Sequence, residues 1–216
     1  MNKEKTKQYI EETKQYIEET KQYIQKYLFP IIIKTGEKLE GNIFTHHHVT
    51  NITSYFYKKC FNLSSLVQNE EIKNIMEIGF NAGFSTLLML FSNPSAKITC
   101  YDLGEHAYTM PCFKVIKEKF GDRVNIILGD STKTVQNDKN KYDLIHIDGG
   151  HSIFVATQDI ENSYNKSKSG TIFIFDDYDF KHLHKLWNFY SNKYSLKNVD
   201  SKLYLKTNLH DIKKRV

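Results

Sequence analysis

From residue 74 onward one pattern recurs: a short apolar run, then an acid or a glycine, then a helical stretch. "NIMEIGF" reads as a strand and "FSTLLMLFS" as a helix; "AKITCYDLG" is a strand and 105–120 a helix. "VNIILGD" is a strand before a short polar helix. "YDLIHID" and "GTIFIFDDY" are further strands, followed by the helices "SIFVATQDIENSYNKSK" (Ile153, Ala156, Ile160 and Tyr164 on one face) and "FKHLHKLWNFYS". Parallel neighbours need long crossovers, and uniformly apolar strands need cover on both faces. The alternation therefore predicts an α/β fold with a doubly wound, mostly parallel sheet. The tail "YSLKNVDSKLYLKT" breaks the alternation and predicts two strands about a turn near Asp200, one of them antiparallel, for seven strands in all.

The N-terminus is different in kind. "KQYIEET" occurs at 7–13 and 14–20, then "KQYIQKY" at 21–27. Ile10, Ile17 and Ile24 fall on one helical stripe, with Thr13 and Thr20 between them and Tyr9, Tyr16 and Tyr23 beside it. The helix is expected to stop near Pro30. Threonine makes a poor coiled-coil seam. Two readings stay open: a mostly solvated helix resting on the body, or a helix that joins two chains into a homo-oligomer. Residues 31–50 read as a loop containing "THHHV", and 51–67 as a helix. His46, His47 and His48 are adjacent, so their side chains diverge on a regular element, and a substrate-facing loop or a polar helix start is favoured over a metal site.

Composition excludes several classes. The 216 residues suffice for one substantial core. A net charge of +5 with scattered lysines argues for solubility before nucleic-acid binding. No uncharged stretch approaches the roughly 20 residues that cross a bilayer, and no apolar leader is visible. Cys60, Cys100 and Cys112 lack CxxC spacing and cannot all pair, which fits a reducing, cytoplasmic setting.

Chemistry gathers at the strand ends. In "EIGFNAGFS", Glu77 lies within the strand, Gly79 and Gly83 bracket a tight loop through Asn81 and Ala82, and Ser85 can open the next helix. Such a loop lets backbone approach a ligand. GxGxxG spacing is absent, so a nicotinamide dinucleotide is disfavoured. The following strands end at Asp102, at Asp130 with Ser131, at Asp148, and at Asp176–Asp177. One such acid is often only a turn or helix cap. Four in order after a glycine loop form a joint signal. In "IDGGHS", two glycines free the backbone between Asp148 and His151.

Taken in sequence, "MEIGFNAGFS", "YDLGEH", "LGDS", "YDLIHIDGGHS" and "GTIFIFDDYD" resemble the motifs of class I S-adenosylmethionine-dependent methyltransferases. "IDGGHS" with "FDDY" resembles the family-24 and macrolide-sugar O-methyltransferase branch. The resemblance covers about 74–207. It implies a Rossmann-like cofactor domain over 74–216, a helical and loop cap over 29–73 contributing to the substrate pocket, and the repeat helix over 1–28 as an extension.

It also implies roles. Asp102 would take the ribose hydroxyls, and Asp130 with Ser131 would face the adenine. Gly79, Asn81, Ala82, Gly83 and Ser85 would pass beneath the methionine part. Glu77 would brace that loop or meet the amino group. A hydroxyl acceptor must lose its proton or be held on a metal. Asp148, Asp176 and Asp177 are hard oxygen ligands suited to Mg2+, at positions where metal-dependent relatives carry ligands. His151 or Asp148 would take the proton, and His146 reads as a core histidine. The expected activity is metal-assisted O-methylation of a small hydroxylated acceptor such as a sugar, without nucleic-acid or membrane partners. A metal-independent N-methyltransferase and a non-catalytic scaffold remain as alternatives.

Overall fold

The computed structural model describes residues 3–199 and 203–216. The strands are β1 Asn74–Ile78, β2 Lys97–Asp102, β3 Val124–Leu128, β4 Tyr142–Ile147, β5 Ser167–Asp176, β6 Lys197–Asn198 and β7 His210–Lys214. The α-helices are α1 Lys3–Tyr23, α2 Phe29–Thr35, α3 Tyr57–Val67, α4 Phe84–Ser92, α5 Thr109–Phe120, α6 Ser131–Asn137, α7 Ile153–Lys166 and α8 Lys181–Lys193. One seven-stranded sheet has the order β3-β2-β1-β4-β5-β7-β6. The first five strands pair in parallel, and β7 runs antiparallel to both β5 and β6.

Strand residues alternate between two cores, as period-two pleating requires. Ile75 and Leu144 face the core shared with α1, α3, α4 and α5. Met76, Ile78, Ile145 and Ile147 face the one beneath α6, α7 and α8. Both faces of the sheet are thus covered.

The repeat helix lies on the body. Ile17 and Ile24 are buried, and α1 packs on α3 and α4 of its own chain. Thr13 and Thr20 are fully buried, because each hydroxyl donates to the carbonyl four residues back: Thr13 Oγ1 to Tyr9 at 2.8 Å and Thr20 Oγ1 to Tyr16 at 2.7 Å. Much of the stripe that could have joined two chains is covered by the chain itself.

Three local expectations change. The helix does not end at Pro30: a π-turn over Ile24–Leu28 leads into α2, which closes at the left-handed Gly36. Pro30 stands at the start of α2, where its missing N–H costs least. Helix α3 begins at Tyr57 rather than 51. In the tail, Asp200 lies outside the described residues, and the last strand forms at His210–Lys214 instead of within "SKLYLKT". Asn62 explains this: its side chain accepts from Leu205 N at 2.7 Å and donates to Leu205 O at 2.9 Å, satisfying that backbone without a strand. On α7, Ile153 is exposed while Ala156 and Ile160 are buried. No helix among the described residues is long and apolar enough to cross a membrane. The three cysteines are buried and unpaired.

Candidate active site

The strand order reverses between β1 and β4, and open α/β sheets hold ligands outside the carboxyl ends of their strands at such a point. A cavity of about 670 Å3 opens there, within the roughly 300–1,000 Å3 common for ligand pockets. Its lining comes from the ends of β1–β5 and from the cap segment that includes Glu40, His46, Phe56 and Lys59.

The β1–β3 half is shaped mainly by backbone. Gly79 has φ +91°, and a Cβ there would lie 1.9 Å from the carbonyl oxygen of Asp148. No other residue fits, so the loop after β1 presses directly on the end of β4. Asn81 takes a left-handed φ of +53°, and Gly83 caps α4 with φ +77°. Asp102 gathers the loop: Oδ2 accepts from Phe80 N at 2.9 Å and Asn81 N at 2.8 Å, and Oδ1 accepts from Gly104 N at 2.7 Å. Asp102 also lines the cavity, as do Asn81, Ala82, Ser85, Asp130 and Ser131. Asp130 caps α6, accepting from Thr132 N at 3.0 Å, and its bonds to Thr132 hold its carboxyl below the usual range. Glu77 does not reach the cavity. It is fully buried, accepts from Thr86 Oγ1, and lies 3.0 Å from His146 Nδ1. These contacts tie β1 to α4 and β4.

The β4–β5 half is built from charge. Lys59, on α3, is nearly buried with its Nζ 2.5 Å from Asp176 Oδ2. Burial opposes its charge, but Asp176 and Asp148 outweigh burial and hold the ammonium above the lysine range. Burial would raise Asp176, yet Lys59 and His146 hold it low. Asp148 is half-buried and faces the cavity. Burial and the neighbouring Asp176 push its carboxyl up to about 8. Asp177 is bound elsewhere: its Oδ2 lies 2.7 Å from His151 Nε2, and this bond raises the histidine. His146 is a buried histidine paired with Glu77, as expected of a core position. The two glycines do not simply clear space. A Cβ on Gly149 would meet Asp159 Oδ2 at 2.6 Å, and one on Gly150 would meet Val155 Cγ1 at 2.9 Å. They let α7 pack close behind the loop.

The residues fit S-adenosylmethionine. Among the described residues, Asn81 Oδ1 is a buried acceptor without a partner, suited to an amino group. The N-terminus of α4 suits a carboxylate, and Asp102 suits a hydroxylated ring. They do not fit magnesium as expected. The groups that converge are His146, Asp148 and Asp176, whose ligand atoms lie within 4.8 Å of one another, rather than the three aspartates. Magnesium demands an octahedron of oxygens, whereas this set includes a nitrogen and already holds an ammonium on Asp176. Among the described residues, His46, His47 and His48 form no metal cluster. His46 instead lies against Tyr55 and Phe56, and His47 Nδ1 accepts from Gly41 N at 3.1 Å. Lys59 was not anticipated; its one sequence signal is a cation in register with Leu63 and Leu66 on a buried helical face.

Residues 76–178 match a family described as "Methyltransferase domain". No curated protein matches the chain. Many solved structures resemble it, three of which show the shared fold well. The first is a Staphylococcus aureus protein provisionally described as a caffeoyl-CoA O-methyltransferase: 16% identity, TM-score 0.63, covering 94% of this chain and 99% of that one. The second is the S-adenosylhomocysteine-bound Podospora anserina methyltransferase PaMTH1: 16% identity, TM-score 0.60, 76% and 80%. The third is CalS11, a TDP-rhamnose 3'-O-methyltransferase of calicheamicin biosynthesis: 15% identity, TM-score 0.58, 75% and 81%.

Proposed function

We propose that this chain, whose residues 76–178 form a class I S-adenosylmethionine-dependent methyltransferase domain, is an O-methyltransferase for a small hydroxylated acceptor such as a sugar. The observation that carries this reading is a single cavity lined by the Gly79–Gly83 loop and Asp102 as well as by Asp148, Asp176 and His151, so that donor and acceptor would share one space. Bound S-adenosylmethionine supplies a methyl group already activated on a sulfonium. The chain then has two tasks: to align the acceptor oxygen and to remove its proton.

Alignment falls to the cap, where Glu40, Asn42 and His46 offer polar groups and Phe56 an apolar wall. Proton removal falls to Asp148, which faces the cavity and whose carboxyl is pushed up to about 8. His151, held by Asp177 and lying 5.3 Å from the Phe180 ring, is the second candidate. The acceptor class is supported by the names of two of the structural neighbours, a TDP-rhamnose 3'-O-methyltransferase and a protein provisionally described as a caffeoyl-CoA O-methyltransferase.

The test is incubation with S-adenosylmethionine and a panel of nucleotide-linked sugars and catechols, followed by mass spectrometry of the acceptor. A methylated product is expected. Its turnover should rise with pH through about 8 and lose that limb in Asp148→Asn. Absence of S-adenosylmethionine binding by calorimetry would reject the reading. Binding without turnover on any acceptor would favour a scaffold.

A further inference from the structure

We infer that Lys59 is the built-in cation of this active site, standing where a divalent ion would stand and presenting its ammonium to the acceptor oxygen. The inference rests on the methyltransferase reading and deepens it. Lys59 is only 7% exposed, yet it lines the cavity beside Asp148, Asp176 and Asp177. A buried cation so placed must be paired. Asp176 provides that partner, and the Phe56 ring lies 5.6 Å from the same nitrogen. An ammonium carries three donors. Among the described residues, Asp176 is the one hydrogen-bonding or ion-pair partner of Lys59. Donors therefore remain for a ligand oxygen.

Charge leads to the same place. Asp148, Asp176 and Asp177 would bring three negative charges to two adjacent strand ends. His151 sits on Asp177 and Lys59 on Asp176, and among the described residues Asp148 forms no ion pair of its own. Like carboxylates this close are costly without a positive partner. A divalent ion is the usual remedy, but one placed between Asp148 and Asp176 would be repelled by the ammonium already on Asp176. Lysine also suits the chemistry as a compact point charge with rotatable donors. In the transfer, an acceptor oxygen lone pair forms the new oxygen–carbon bond as the carbon–sulfur bond breaks. The electron pair of that bond returns to sulfur and cancels its positive charge. The acceptor proton passes to Asp148. Lys59 donates a hydrogen bond to the oxygen throughout and keeps its own proton.

The test is manganese binding, read by the loss of the free-ion electron paramagnetic resonance signal in the presence of S-adenosylhomocysteine. The wild-type chain should bind no stoichiometric Mn2+ below about 1 mM, the weak end of protein sites for divalent ions. Lys59→Met and Lys59→Gln uncover the acidic cluster and should bind one ion at least about tenfold more tightly than wild type. Lys59→Arg should behave as wild type. The paired variants guard against one failing to fold, with circular dichroism as the control. Stoichiometric Mn2+ on the wild type below about 1 mM would overturn the inference. So would folded Lys59→Met and Lys59→Gln that bind no better than wild type. Calorimetry with S-adenosylhomocysteine keeps the two proposals apart. Loss of cofactor binding in the wild type counts against the methyltransferase reading, whereas the manganese result counts against Lys59 alone.

Discussion

The two halves of the cavity are made from different materials. Toward β1–β3, shape comes from backbone: left-handed residues at Gly79, Asn81 and Gly83, and three amides gathered on Asp102. Toward β4–β5, it comes from side-chain charge: Lys59 on Asp176, His151 on Asp177, and Asp148 between them. A backbone-built surface accepts one ligand shape and tolerates few substitutions. A charge-built surface can be re-tuned by changing one partner, provided the other is not left buried alone.

The contrast can be broken in order of effect. Asp176→Ala strands the Lys59 ammonium and should cost about 3–5 kcal/mol in urea unfolding. The double change Lys59→Met/Asp176→Leu should recover much of that, and a double variant as unstable as the single one would show that the pair is not the cause. Gly79→Ala should cost about 3 kcal/mol, because the new methyl meets backbone rather than a movable side chain. Asp102→Ala should weaken S-adenosylhomocysteine by about ten- to a hundredfold, through loss of charge-assisted hydrogen bonds of roughly 1.5–3 kcal/mol. Since Asp102 also gathers the amides of Phe80, Asn81 and Gly104, the loop should exchange its amide hydrogens faster. Unchanged calorimetric affinity would remove Asp102 from the cofactor site.

A smaller effect lies behind the glycine pair. Asp159 is fully buried, and burial, only partly offset by the nearby Ser131 hydroxyl, pushes its carboxyl up to about 6. The folded chain therefore holds a proton on Asp159 that the unfolded chain releases near pH 4. Its stabilising contribution is complete below about pH 4 and is lost as pH rises through about 6. Asp159→Asn should gain on the order of 2 kcal/mol over wild type at pH 8, and little at pH 4.5. Denaturant midpoints at the two pH values check this, and an equal difference at both would exclude the ionisation as its source.

The same contrast explains what the sequence disclosed. Strand-end acids and loop glycines follow from position along a regular alternation, so Gly79, Asp102, Asp130 and Asp148 were found where the cavity lies. Lys59 belongs to no such order. It sits inside an ordinary helix, and only folding sets α3 against the end of β5. The resemblance to metal-dependent relatives groups Asp177 with Asp176, yet a left-handed φ of +53° at Asp177 accompanies their different partners. The tail misled for a related reason. "KLYLKT" alternates like a strand, but the side chain of Asn62, far away in sequence, takes the backbone hydrogen bonds of Leu205. In "HDIKK", by contrast, lysines obscure a strand that β5 and β6 hold from both sides.

The repeat helix has a consequence for inheritance. Its first two copies are identical for seven residues, and Thr13 and Thr20 occupy equivalent settings, each buried and bonded four residues back. Loss or duplication of one copy moves every later side chain along the helix by nearly two whole turns, turning it only about 20°. A tyrosine, an isoleucine and a threonine would then stand almost where their predecessors stood. Identical tandem copies are also the kind of template that replication readily lengthens or shortens. Deletion of 7–13 should accordingly shift the thermal midpoint by only a few degrees, as measured by circular dichroism. A change of copy number in this arm would thus leave the cavity, which no residue of α1 lines, with its own walls unchanged.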